Sequence, residues 1–257
     1  MNDSPSPSTR SLTKYFYPKA KNIAKIICEK LKDNGRSLHA GDIVVVAQKA
    51  ISKVEGRMID LATVTPSARA EEISLQCGKD SREVELILSE STSILRTGEN
   101  LLIVQHRNGA ILANAGMDRS NVSADDDSET VLLLPLDADA SAEVLKEEIK
   151  KICGIDVAVV INDSLGRPWR LGTTGVAIGI AGLPAILDLR GDTDLFGREL
   201  KVSLQAIGDE LSSTAALIQG QGAEGQPVAV IRGDFNWSEP DGPATDLIRP
   251  EDMDLFR

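Results

Sequence analysis

The sequence predicts a fold of mixed α and β structure, because short apolar runs typical of buried strands alternate with segments of helical spacing. The chain of 257 residues is long enough to bury a large core, as one domain or as two closely packed subdomains. Hydrophobic residues make up 42% of it, yet no apolar run is long enough to cross a bilayer. We therefore expect a globular protein that does not associate with membranes.

The helices are predicted from apolar spacing and from the residues at their ends. A first helix should end at Asn34-Gly35, because apolar residues precede this Gly at helical spacing. A second should have Pro66 as its first helical residue. Two more are predicted over residues 141–152 and 201–218.

The strands are predicted where short apolar runs meet turn residues, over 43–47, 101–104, 110–113, 157–161 and 228–231. The second and third of these runs flank a turn that contains Gly109, which predicts a hairpin. Gly alternates with small apolar residues over 172–182, which predicts close backbone packing, at a ligand or at a subunit interface.

The N-terminal segment and the cysteines indicate the cellular location and the redox state that we expect. Residues 1–10 are rich in Ser and Pro, which predicts a disordered tail before a single folded domain over 11–257. The tail lacks the charged-then-apolar order of a signal peptide, so we expect a cytoplasmic protein. Cys28, Cys77 and Cys153 are odd in number and lack metal-type spacing. We interpret them as core residues with at most one reactive thiol, and expect neither disulfides nor a zinc site.

Charge and composition exclude several classes of function. The net charge is −11, no basic stripe is visible and only 3% of residues are aromatic, so a nucleic-acid surface is not expected. His39 and His106 have no Ser or Cys motif near them in sequence, which leaves a hydrolase triad unsupported.

Two motifs place aspartates after apolar stretches, among Gly, Ser and Asn. These motifs are Asn114-Ala-Gly-Met-Asp-Arg-Ser-Asn121 and residues 160–175, which contain Asp118 and Asp163. Together with the Ser164 hydroxyl and the Gln221 amide, the two carboxylates form an oxygen-rich set that suits Mg²⁺ or Mn²⁺. The alternative is that both aspartates cap turns or helix starts.

Basic and glycine-rich segments are candidates for binding an anion. Gln48, Lys49 and Lys53 follow a predicted strand end, where α/β architectures present ligand-binding loops, so the lysines could hold nucleotide phosphates. The glycine-rich run 219–226 would let backbone N–H groups approach an anion. Ordinary exposed lysines and an ordinary helix-to-strand connection are the alternatives. Arg167 and Arg170 could recognise a carboxylate or phosphate, or could rim a core around Trp169.

Five motifs together resemble the coenzyme F420-0:L-glutamate ligase family. They are Ser52-Lys-Val-Glu-Gly-Arg57, the motif 114–121, residues 162–175, Asp194-Leu-Phe-Gly-Arg-Glu-Leu200 and Gly220-Gln-Gly-Ala-Glu-Gly225, and they occur in the family's order. The resemblance implies an α+β fold with a mixed sheet and two intimately packed subdomains. It also implies a homodimer whose nucleotide site lies near the subunit interface.

The activity implied by this resemblance is GTP-dependent addition of L-glutamate to F420-0 through an acyl phosphate, with Mg²⁺ or Mn²⁺ and with K⁺ as a further candidate. The residues that look like nucleotide contacts are Gln48, Lys49, Lys53, Asn121, Gln219, Gly220, Gln221, Gly222, Ala223, Glu224, Gly225 and Gln226. Those that look like metal ligands are Asp118, Asp163, Ser164 and Gln221. No catalytic side chain is assigned. Two alternatives stay open: a related amide ligase for another carboxylate, and a non-catalytic nucleotide-binding relative.

Overall fold

The computed structural model describes residues 22–120, 122, 129–235, 237 and 239–255. The predicted disordered tail over 1–10 and the predicted nucleotide contact Asn121 lie outside these residues. Within the described part of the chain, no helix combines the length and the apolar character needed to span a membrane.

The described elements alternate along the chain. The helices are α1 (Ile23–Asp33), α2 (Gln48–Val54), α3 (Ala68–Cys77), α4 (Ser81–Ser89), α5 (Ala138–Cys153) and α6 (Ile207–Gln219). The strands are β1 (Ile43–Ala47), β2 (Met58–Asp60), β3 (Ser91–Gly98), β4 (Leu101–His106), β5 (Ile111–Ala113), β6 (Thr130–Leu132), β7 (Ala158–Arg167), β8 (Arg170–Ala181), β9 (Leu187–Asp188), β10 (Leu204–Gln205) and β11 (Val228–Ile231). Short 3₁₀ helices cover Leu61–Thr63, Asn114–Gly116, Ala244–Leu247 and Glu251–Met253.

A four-stranded mixed sheet forms the centre of the molecule, in the order β11-β1-β7-β8. The inner strands β1 and β7 are parallel, whereas β11 and β8 pair antiparallel with them. One core on this sheet includes residues of α1 and α5, and a second core includes residues of α6. With both faces covered, β1 and residues 158–161 of β7 are apolar without alternation. The α+β class with a mixed sheet is thus confirmed.

A smaller unit has a core of its own, formed by α3, α4 and the antiparallel sheet β3-β4-β5. Ile73, Val84, Ile87, Leu102 and Val104 are buried there. The predicted hairpin is confirmed as β4 and β5, which pair with Val104 opposite Leu112. This unit carries the motif of Asp118 directly after β5, so it brings one carboxylate toward the central sheet.

The long β7–β8 hairpin explains the small residues predicted to pack closely. A Cβ on Gly175 would lie 2.3 Å from the Ser212 carbonyl oxygen, and one on Gly179 would lie 2.2 Å from that of Ala138. Both distances are far inside van der Waals contact, so these positions require glycine. The close packing is therefore confirmed, and its partners are α6 and α5 of the same chain.

Two predicted helix starts are wrong. Helix α3 begins at Ala68, because the Ser67 hydroxyl accepts a hydrogen bond from the Ala70 N–H and caps the helix, leaving Pro66 outside it. Helix α6 begins at Ile207 and not near residue 201, because Leu204 and Gln205 pair with β9. The start of α6 is therefore set by strand pairing with a distant segment, which helical spacing in the local sequence does not indicate.

The expectation that the cysteines form no disulfide is also wrong. Cys28 of α1 and Cys153 of α5 are bonded, whereas Cys77 is a buried free thiol. The two bonded residues are 125 positions apart, and only the packing of α1 against α5 brings them together. Cysteine spacing in the sequence contains no such information.

A buried ion cluster joins the two units of the fold. Glu90, at the end of α4, is 5% exposed and lies 2.8 Å from Arg57 Nη2 and 2.7 Å from Arg107 Nη2. Arg57 also donates from Nε to the Leu134 carbonyl and lies in the turn after α2. Glu90 therefore connects α4 and β4 to the segment that follows the predicted nucleotide-binding residues.

We expect Glu90→Gln to lower the free energy of unfolding by about 3 kcal/mol, because it leaves the largely buried guanidinium group of Arg57 without a compensating charge. Urea unfolding of both proteins measures this difference. The matched control is Asp188→Asn, which removes the exposed partner of Arg190 and should have no measurable effect. Equal stability of Glu90→Gln and the parent would show that the cluster does not stabilise the fold.

Candidate active site

A cavity of about 520 Å³ lies where β1 ends beside β7, between α2 and the loop that follows α6. The predicted residues that line it are Gln48, Lys49, Lys53, Asp118, Asp163, Ser164, Gln219, Gly220, Gln221, Gly222, Ala223, Gly225 and Gln226. Segments far apart in sequence thus converge on one cleft. Their roles toward a ligand stay predictions.

Asp118 enters the cleft after a left-handed turn of backbone. Asn114 and Ala115 have φ values of 51° and 54°, a region that non-glycine residues rarely adopt and that costs on the order of 1 kcal/mol each. The Asn114 side chain accepts a hydrogen bond from the Leu102 N–H, and the Asp118 backbone pairs with Leu132 in both directions. Tertiary contacts therefore hold a strained turn that aims this carboxylate.

Lys49 forms an ion pair with Asp118 across the cleft. Its Nζ lies 2.6 Å from Asp118 Oδ2 and donates to the Ser120 hydroxyl at 2.8 Å. Burial raises the pKa of Asp118, but the Lys49 ammonium and the Ser120 hydrogen bonds outweigh it, so the pKa lies below its usual range. Burial lowers the pKa of Lys53, and the charge of Lys49 lowers it further. The cleft therefore holds two cationic groups close enough to repel one another.

Asp163 lies within the long strand β7, which continues beyond the predicted end at residue 161 to pair with β8. Burial, together with the negative charge of Asp118, raises the pKa of Asp163 to about 6, although the Ser164 N–H donates to its Oδ1 at 2.8 Å. The Ser164 hydroxyl in turn accepts a hydrogen bond from Gln221 Nε2 at 2.8 Å. A carboxylate with a raised pKa in a cleft is typical of a site that binds a cation or moves a proton.

The glycine-rich loop folds around its own carboxylate. The Gly222 N–H donates to Glu224 Oε2 at 2.8 Å. Gly220 has a φ of 73° and a ψ of 177°, a backbone conformation that is essentially restricted to glycine. Glu224 does not line the cleft, unlike the other residues of the run 219–226. The loop thus depends on glycine at position 220.

The donor set fits a hard cation that keeps part of its water shell. No three His, Cys, Asp or Glu side chains converge as a metal site among the described residues. The oxygens of Asp118, Asp163, Ser164 and Gln221 are of the type that Mg²⁺ and Mn²⁺ prefer, and Mg²⁺ commonly binds proteins through one or two carboxylates plus substrate phosphates. These four residues would hold the ion.

Some functional positions differ from the sequence-based interpretation. Of the two alternatives for the segment around Trp169, the core is wrong, because this side chain is 82% exposed at the tip of the β7–β8 hairpin. Arg167 and Arg170 do not line the cleft. Asn162, Ser120 and Thr173 line it without having been assigned a role. The motifs containing them were recognised, but no local pattern indicates which side chains turn toward the cavity.

Known proteins resemble the chain over most of its length. The family model described as F420-0:Gamma-glutamyl ligase matches residues 17–233. A coenzyme F420:L-glutamate ligase of Methanothermobacter thermautotrophicus is 42% identical over 238 residues, which cover 92% of this chain and 92% of that protein. Relatives of the same name from Methanocaldococcus jannaschii and Archaeoglobus fulgidus are 44% and 40% identical over 217 residues, which cover 84% of this chain in each case and 85% and 84% of those proteins. The chain belongs to the F420-0:gamma-glutamyl ligase family.

Proposed function

We propose that the protein is a ligase that uses GTP and a divalent cation to join L-glutamate to coenzyme F420-0. The names of its relatives support this reaction. The observation that carries the proposal is the convergence of two carboxylates, two lysines and a glycine-rich loop on one cleft. Phosphoryl transfer needs charge neutralisation and positioning more than a nucleophilic side chain, which agrees with this set of residues.

Each group has a role in this proposal. Lys49 and Lys53 bind the nucleotide phosphates by charge, and backbone N–H groups of residues 219–226 approach the same phosphates. Asp118, Asp163, Ser164 and Gln221 hold Mg²⁺ or Mn²⁺, which supplies charge neutralisation at the phosphate oxygens when bound.

The proposed reaction has two steps. A carboxylate oxygen of F420-0 attacks the γ-phosphorus of GTP, the bond from phosphorus to the GDP oxygen breaks, and an acyl phosphate forms. The amine of L-glutamate then attacks the acyl carbon, the carbon–oxygen bond to phosphate breaks, and the amine loses a proton as the amide forms. Holding the two reactants together in the cleft lowers the entropic part of both barriers.

Purified protein incubated with GTP, Mg²⁺ or Mn²⁺, L-glutamate and F420-0, with and without K⁺, tests this function. We expect phosphate release that depends on GTP, and a mass gain on F420-0 equal to one or more glutamyl residues. A mass gain on a different acid alone would establish the ligase for another carboxylate. Tight GTP binding without any product would indicate the non-catalytic relative.

We also propose that the protein is a homodimer that uses the tip of the β7–β8 hairpin. Leu171 is 100% exposed there, and Leu195 and Phe196 of the following loop are 99% and 84% exposed. Large apolar side chains exposed to this degree are typical of surfaces that bind another protein. Thr173 of the same hairpin lines the cleft, so a second copy bound at the hairpin would lie close to the nucleotide.

Light scattering after size-exclusion chromatography tests the dimer. We expect the parent protein to have twice the mass of one chain and Leu171→Glu to have the mass of one chain, because a buried charge at an interface is strongly unfavourable. The control is Leu75→Glu, at an exposed leucine of α3 that is not part of the hairpin. A parent protein with the mass of one chain would contradict the proposed dimer.

A further inference from the structure

Asn162 is a buried amide at the floor of the cleft. It lies on β7, opposite the last residue of β1, Ala47, and is 3% exposed. It lines the cavity, yet its Oδ1 has no hydrogen-bond partner in the described part of the chain. Buried polar atoms nearly always have a hydrogen-bond partner. An unpaired oxygen in a cleft therefore indicates that a bound ligand donates a hydrogen bond to it.

The surrounding hydrogen bonds fix which atom of the amide is unpaired. Gln219 Nε2 lies 3.4 Å from the Val45 carbonyl oxygen and 3.3 Å from that of Pro227, and only an N–H can pair with these acceptors. Gln219 Oε1 therefore faces Asn162, whose Nδ2 donates to it at 2.8 Å and to the Ser212 carbonyl at 3.4 Å. Turning the Asn162 amide over would place oxygen against oxygen at both contacts. The orientation is thus determined, and Oδ1 remains as an acceptor.

The chemistry of this atom restricts its partner. An amide oxygen accepts hydrogen bonds and cannot donate one. Nucleotide phosphate oxygens, which are also acceptors, cannot satisfy it when they are ionised. A suitable partner must bring an N–H or O–H group into the cleft.

We propose that Asn162 is a further ligand-binding residue, whose Oδ1 accepts a hydrogen bond from an N–H or O–H group of a bound ligand. The inference rests on the proposed function for the identity of the candidates. They are the amine of the amino-acid substrate, an amino or hydroxyl group of the nucleotide, and a water molecule of the hydrated cation. Gln219 acts as the positioning residue, because it holds the Asn162 amide in this orientation.

The test uses Asn162→Leu, which has a similar size and lacks the oxygen. Three ligands are tested separately: GTP by its affinity in calorimetry, Mn²⁺ alone by its affinity in electron paramagnetic resonance, and L-glutamate by its KM, with kcat measured beside it. We expect one of these ligands to bind about tenfold more weakly, the equivalent of one hydrogen bond, with the other two unchanged. The ligand that is affected identifies the donor.

Ser212→Ala is the matched control. The Ser212 hydroxyl is also fully buried and unpaired, but Ser212 does not line the cleft. Removal of the Ser212 hydroxyl should leave the binding of GTP, Mn²⁺ and L-glutamate unchanged. If Asn162→Leu does not fold, Asn162→Ala is the second variant, because it leaves room for water beside Gln219 Oε1, and the same selective loss is expected.

Unchanged binding of all three ligands, or an equal loss for all three, would overturn the inference, since the second result is that of a structural residue. The GTP and Mn²⁺ measurements require no turnover. A parent protein without ligase activity would therefore refute the proposed function while still giving a result for Asn162.

Discussion

Asp163→Asn is expected to lower metal-dependent turnover by at least roughly a hundredfold, because it removes one of the two carboxylates proposed to hold the cation. The same substitution should stabilise the metal-free protein. Both effects are expected from one cause: Asp163 is proposed to bind a cation, and its buried negative charge is unfavourable without one.

The sign of the stability effect follows from the pKa of Asp163. Burial, with the charge of Asp118, raises this pKa from an ordinary value of 3.8 to about 6, so the folded state binds the proton more tightly than the unfolded chain. The contribution of Asp163 protonation to the free energy of unfolding is therefore fully present below pH 3.8 and is lost as the pH rises through 6. Asn resembles the protonated acid, so at neutral pH the variant should be more stable by about 3 kcal/mol. The difference should shrink as the pH falls toward 4.

Denaturant unfolding at acidic and neutral pH, with and without Mn²⁺, checks this prediction. Mn²⁺ should stabilise the parent protein and have little effect on Asp163→Asn, because a ligand stabilises only a state that binds it. Asp118→Asn is the matched control and should be destabilising, since it removes the ion-pair partner of Lys49. An Asp163→Asn variant with full activity, or with lower stability at neutral pH, would contradict the assigned role.

Lys49→Met is expected to change the affinities for nucleotide and metal in opposite directions. The Lys49 ammonium lies 2.6 Å from Asp118 Oδ2, so it neutralises a carboxylate proposed to bind the cation. Removing the ammonium should weaken GTP binding by on the order of tenfold to a hundredfold, the equivalent of a charge-assisted contact. The affinity for Mn²⁺ alone should rise, because the ion no longer competes with Lys49 for Asp118.

Calorimetry with GTP and electron paramagnetic resonance with Mn²⁺ measure the two affinities. Lys150→Met is the control, at an exposed lysine outside the cleft that pairs with Asp156, and should change neither affinity. If GTP affinity were unaltered in Lys49→Met, Lys49 would not be a phosphate contact. If Mn²⁺ affinity fell together with GTP affinity, competition for Asp118 would be excluded.

Local sequence patterns predict much of this fold and less of its site. The apolar runs that become β1 and β11 were predicted with the observed bounds, because strands buried on both faces need continuous apolar sequence. The start of α6 and the Cys28–Cys153 bond were not predicted. Both depend on contacts between segments distant in sequence, which periodicity does not encode.

In the candidate site, too, local sequence patterns predict some features, whereas others depend on contacts between distant segments. Its segments could be identified because glycine, aspartate and lysine in these motifs resemble a known family. The geometry that decides their chemistry is long-range: Lys49 meets Asp118 across the cleft, and Asn162 meets Gln219 of another element. The unpaired oxygen of Asn162 follows from that packing alone, so no sequence pattern could have indicated it.

Transfer of oxygen from the acid substrate to phosphate tests the central claim most directly, namely that the cleft activates a carboxylate by phosphorylation. F420-0 labelled with ¹⁸O in its reacting carboxyl group is incubated with GTP, Mg²⁺ and L-glutamate, and the released phosphate is analysed by mass spectrometry. The account predicts that each phosphate carries one ¹⁸O atom, because the carbon–oxygen bond of the acyl phosphate breaks as the amide forms. Phosphate without label, released together with glutamylated product, would contradict it.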